Sequence, residues 1–143
     1  MGLFDIFKKR TKPYKNDAIN LIYELLFCDD LDLYRDNTDQ IENYPWNILF
    51  SPTPGISELK EIINNADTAS RVKILACRLL QETEMPADEK ELLAVIVELG
   101  LENGPDVLAS FKDGSIRYIN QTGSMIVWET PDDTSIALVN KLF

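Results

Sequence analysis

The side chains equipped for chemistry are carboxylates, lysines, tyrosines and two thiols, because the chain contains no histidine. That absence removes Ser-His-Asp and Cys-His nucleophilic catalysis, zinc sites built on imidazole and the usual general base of neutral pH. The densest carboxylates are Asp29, Asp30, Asp32, Asp36 and Asp39. Such a run can hold a divalent cation, but a calcium loop needs alternating ligands, glycine at its sixth position and a distal glutamate. Counted from Asp30, the fifth, sixth and twelfth positions are Tyr34, Arg35 and Ile41, so the pattern fails. The run reads instead as solvated surface or as a docking patch for a basic protein. Glu82, Glu84, Asp88, Glu89 and Glu91 are spaced as a charged loop and helix end, and no pair stands out as the general acid and base of a glycosidase-like site. Cys28 and Cys77 sit in apolar helical patterns and read as reduced, packed thiols. No glycine pattern cradles a phosphate. The expectation is a non-enzymatic protein with no metal or other cofactor.

Two further groups are candidates for binding. Tyr44 and Trp46, with Pro45 between them and Ile48, Leu49 and Phe50 after, form an aromatic segment of the kind that supplies interface hot spots. The plainer reading is that Trp46, Leu49 and Phe50 pin a connector to the core. At the N-terminus, Leu3, Phe4 and Phe7 fall on one side of a helix and Lys8, Lys9 and Lys12 on the other, with Arg10 between. That is the arrangement of a short membrane-surface helix. Met1 to Lys8 resembles the opening of amphipathic aurein-type membrane peptides. Against it stands the reading in which the three apolar side chains dock on the domain and the cations form a linker. N-myristoylation is not expected, because Ile6 occupies the place of the required Ser or Thr.

Charge separates this tail from the rest. In residues 1–15, Lys8, Lys9, Arg10, Lys12 and Lys15 oppose Asp5 alone, a net +4, so that the whole-chain charge of -10 leaves -14 on residues 16–143. A body so acidic excludes broad nucleic-acid binding, which depends on cations meeting phosphates. It suits a positively charged protein partner instead, the physics that toxin-neutralising immunity proteins use. No apolar stretch is long enough to span a bilayer, and Leu3 to Phe7 is too short for a secretory signal. The expected location is cytoplasmic, with the inner membrane face as the place of any peripheral contact.

These groups must be positioned by helices followed by strands. Ile19, Ile22, Tyr23, Leu26 and Phe27 predict an amphipathic helix from about Asn16, capped by Asn16 or Asp17, with a short helical piece after it that ends near Asn37. Ser57 is expected to cap a helix through about Asn65. Ala69, Val72, Leu75, Ala76, Leu79 and Leu80 make the stripe of the next helix. Val95, Ile96 and Val97 favour a strand, and further runs at 106–112, 115–120 and 124–129 are split by Asp113-Gly114 and by Thr122-Gly123. Four strands with tight turns make an antiparallel meander. Its apolar face is expected to hold Val107, Ala109 and Phe111, then Ile116 and Tyr118, then Met125 and Val127, under the upstream helices. A strand at 92–101 or 124–129 would lie at the edge, where a second chain could pair. Pro131-Asp132-Asp133 starts a last helix with the stripe Ile136, Val139, Leu142 and Phe143.

Val95-Ile96-Val97-Glu98, Leu101-Glu102-Asn103-Gly104, Asp113-Gly114, Arg117-Tyr118-Ile119-Asn120 and Ile126-Val127-Trp128-Glu129 resemble the C-terminal half of a group of small uncharacterised bacterial proteins. The resemblance spans residues 92–129 and implies a bacterial origin and a shared meander, with no activity attached. The expected organisation is a basic tail, 1–15, and one α+β domain, 16–143, with a helical half at 16–84, a meander at 92–130 and a C-terminal helix at 132–143.

Overall fold

The computed structural model describes residues 12–27, 30–36, 39, 41–83 and 91–143. Helices α1 (Asp17–Phe27), α2 (Leu31–Asp36), α3 (Trp46–Leu49), α4 (Ile56–Asn64) and α5 (Ser70–Glu82) precede strands β1 (Ala94–Leu99), β2 (Asp106–Phe111), β3 (Ile116–Ile119) and β4 (Met125–Trp128), and α6 (Asp133–Val139) follows. The fold is α+β, and its sheet is an antiparallel meander in the order β1-β2-β3-β4. Among the described residues no helix is long and apolar enough to cross a membrane.

Local chemistry sets the boundaries. The Asn16 side-chain oxygen accepts from the Ala18 N–H at 2.9 Å and so caps α1. The expected cap at Ser57 is corrected: α4 begins earlier, its N-cap is Gly55, and the Glu58 carboxylate takes the Gly55 N–H at 3.1 Å. Only the glutamate half of a capping box operates there: Glu58 satisfies the N–H of Gly55, while glycine has no side-chain oxygen to accept the N–H of Glu58. Helix α6 is capped reciprocally, with Ser135 N–H donating to Asp132 at 2.8 Å and Asp132 N–H to the Ser135 hydroxyl at 3.0 Å. It ends at Val139, which is buried, whereas Leu142 and Phe143 lie past its end and are exposed, so the expected stripe through 143 is shortened.

The register corrects one sheet face. Val107 pairs with Ile119 and Ala109 with Arg117, which places Arg117 and Ile119 on the core face and turns Ile116 and Tyr118 to the opposite one. A strand's side chains alternate, so parity admits no compromise. Arg117 tolerates burial because every part of its head is engaged: Nε donates to Glu129 at 2.7 Å, Nη1 to the Leu26 carbonyl at 2.8 Å, and Nη2 also meets Glu129.

Two cores result. Tyr14, Phe27, Val107, Ala109, Phe111 and Ile119 form one between α1 and the sheet, with Ile74 of α5 against it. Leu49, Leu59, Ile62, Ala76 and Leu80 form the other among the helices. Helix α5 therefore serves both. Its N-terminus is fixed from the sheet side, because the Asp113 carboxylate in the β2–β3 turn accepts from Ser70 N–H at 2.8 Å while Asp113 N–H donates to the Ser70 hydroxyl at 3.0 Å. Asp113-Gly114 is thus a turn, with Gly114 at φ +90°, and also the missing cap of α5. At the other end of the sheet Gly104, at φ +138°, leaves room for the Tyr14 ring, which a Cβ would approach to 2.3 Å.

Candidate partner-binding surface

The acidic run and the aromatic segment meet. Asp30 starts α2 by accepting the Asp32 N–H at 3.0 Å, so one of its oxygens is spent on the helix end. Asp32 lies exposed in the first turn, 4.0 Å from Arg35 across one turn of helix. Asp36 closes α2, and Asp29 lies outside the described residues. From the same helix Tyr34 stacks on Trp46, with ring centroids 5.4 Å apart, and Trp46 stacks in turn on Phe50 at 5.6 Å. The ladder is closed by cations: Arg35 lies 5.2 Å from the Phe50 centroid and Arg71 5.2 Å from that of Tyr34. Trp46 packs against the helical core, which also holds Ile48 and Leu49, so it anchors α3 and is itself partly buried. Tyr44 precedes a cis peptide to Pro45 and is exposed.

Beside this ladder runs a groove of about 170 Å3, lined by Asp30, Leu31 and Asp32 from the α2 side and Leu75, Arg78, Leu79 and Glu82 from α5. Among the described residues its lining comprises three leucines, three carboxylates and one guanidinium. Leu75, Leu79, Arg78 and Glu82 were not foreseen as site residues. Their signal was present as two i, i+4 pairs on adjoining rows of α5, but an apolar row in an amphipathic helix reads as core. Cys77 of α5 is half-buried, and burial pushes its thiol up, away from the reactive thiolate. Among the described residues no group of three His, Cys, Asp or Glu side chains is placed to hold a metal.

The lipid-facing alternative falls on Leu3, Phe4, Phe7, Lys8, Lys9 and Arg10, which lie outside the described residues. Its one described member, Lys12, pairs with Asp17 at 3.0 Å on an exposed surface. A second groove, wide and shallow, lies between Lys15, Asn16 and Ile19 and the turn residues Asn103, Gln121 and Thr122; among the described residues Lys15 is its sole titratable side chain. Comparison with family models, with curated proteins and with solved structures found no match to this chain, so the reading of its surface rests on its own geometry.

Proposed function

We propose that the protein is a non-enzymatic binding module that takes a basic protein partner on the acidic face formed by α2 and α5. The observation that supports this is the groove itself: its lining sets Leu31, Leu75 and Leu79 beside the carboxylates Asp30, Asp32 and Glu82, which outnumber the Arg78 guanidinium there and suit the two halves of a lysine or arginine side chain. The exposed Tyr44 and the edge of the Trp46 ladder extend that face with the residue types that dominate interface energetics. A body of net charge -14 over residues 16–143 speeds the approach of a cationic partner before any contact forms.

The test is capture of binding proteins from the native host on the intact chain and on a triple variant, Asp30→Asn, Asp32→Asn, Glu82→Gln. Asparagine at position 30 keeps the oxygen that caps α2, so the helix survives while the charge goes. Basic proteins retained by the intact chain and lost by the variant support the proposal. With the captured partner, the association rate should fall about tenfold as salt rises from about 20 to about 150 mM. A rate indifferent to salt, or capture indifferent to the variant, sinks it.

A further inference from the structure

The sheet has a second face. Register assigns it Val97, Leu108, Tyr118 and Ile126 as one cross-strand row, Val95, Ser110, Ile116 and Trp128 as the next, and Leu99 beside Asp106 at the corner. Val97 is 57% exposed, Leu99 60%, Leu108 40%, Ile126 59% and Trp128 45%. Single exposed leucines are ordinary, but a row continuous across four strands is not. These side chains present roughly 500–600 Å2 of apolar surface, at the top of the range for the largest patch on a monomer. Asp106 is the one charged residue that register places on this face, and its carboxylate accepts from Gln121 N–H at 2.8 Å and from the Tyr118 hydroxyl at 3.2 Å.

We propose that a second copy of this chain stacks on this face, the two sheets packed face to face about 10 Å apart around a two-fold axis. Charge selects the occupant. A chain of net charge -10 repels its own copy over most of its surface and meets it best through a patch of low charge, and this face is one, its single carboxylate, Asp106, being engaged by Gln121 and Tyr118. A basic partner, or the chain's own segment of Lys8, Lys9 and Arg10, would set its cations against Val97 and Leu99 with no carboxylate but the occupied Asp106 to meet them. Area agrees, because two such faces bury roughly 1,000–1,200 Å2 together, the lower bound for a specific interface. The dimer is therefore of modest affinity. It uses a different surface from the α2–α5 groove and does not depend on that reading.

Sedimentation equilibrium of the full chain over about 1–100 μM tests it, since dimers of this size dissociate in that range. The expected mass rises toward twice 16.3 kDa with concentration. Leu108→Lys lies on the interior strand β2, where it touches the face but neither edge, and it should weaken dimerisation at least about tenfold, because each dimer then buries two unpaired cations. Ile126→Lys is the second variant, with circular dichroism to show that both remain folded. Met125→Lys, on the same strand but the opposite face, should leave the dimer intact. A full chain monomeric at the highest concentration overturns the proposal. So does a dimer that survives both face substitutions, whether it is lost with Met125→Lys, which indicates pairing through the β4 edge, or with Phe4→Ser and Phe7→Ser together, which indicates the N-terminal segment.

Discussion

The helical core and the sheet-side core are built on different principles. The fully buried residues of the helical one are all aliphatic: Leu49, Leu59, Ile62, Ala76 and Leu80 are at most 1% exposed, and all lie within one continuous span of the sequence. The sheet-side core joins α1 to strands far along the chain, and there the apolar contacts are supplemented by directional ones. Asn20 accepts the Tyr14 N–H at 2.9 Å and donates to the Tyr14 carbonyl at 2.8 Å, Tyr14 donates its hydroxyl to the Pro105 carbonyl at 2.8 Å, and Arg117 ties the Leu26 carbonyl to Glu129. Where neighbours in sequence pack together, short connections already constrain them and volume suffices. Where distant segments meet, polar bonds specify which of many apolar contacts is the native one.

The sharpest way to break this contrast is truncation in the helical core. Leu80→Ala should cost about 2–5 kcal/mol in urea denaturation, by lost transfer energy and the cavity left behind, whereas Leu80→Met, which keeps the volume, should cost less than about 1.5 kcal/mol. If both cost the same, volume is not what that core requires.

At the sheet side the logic reverses. Asn20→Leu keeps the branched shape, adds some bulk and should cost about 2–3 kcal/mol, mainly because it removes the Asn20 partner of both the N–H and the carbonyl of Tyr14. A neutral result would erase the distinction between the two cores.

The smallest effect belongs to Asp113. Burial pushes its carboxyl up, but the Ser115 hydroxyl at 2.6 Å, the Ser115 N–H at 3.0 Å and the Ser70 N–H together bring it below the ordinary 3.8. A depressed folded value means that the stabilisation is complete above pH 3.8 and is lost as pH falls through that lower value. Asp113→Asn should therefore cost about 1 kcal/mol at neutral pH, allowing for the partial exposure of the group, and the gap to the unaltered chain should close in acid. A gap constant down to pH 2 or so would show that the carboxylate charge plays no part.

The sequence carried the elements more clearly than the faces. The stripes of α1 and α5 and the glycines at 104, 114 and 123 marked helices and turns, because periodicity and positive φ are local properties. The orientation of β3 was not local. Ile116 and Tyr118 look like the inward pair until Arg117 is seen to be held by Glu129, twelve residues on, and by the carbonyl of Leu26, ninety-one residues back. Residue type alone points to Asp30, Asp32, Tyr44 and Trp46 as binding residues, but the groove joins only the first two of these to Leu75, Leu79 and Glu82, and the tertiary placement of α2 beside α5 brings them together.

The clasp of Tyr14 on Pro105 joins residues 91 positions apart. During synthesis Tyr14 emerges ahead of its partner in the β1–β2 turn, which is made only after all five helices between them. The helical core, complete by Leu80, has every one of its residues in hand before the sheet exists. The molecule is thus laid out to assemble from its middle, with α1 kept waiting, its apolar stripe unsatisfied, until the meander arrives to receive it.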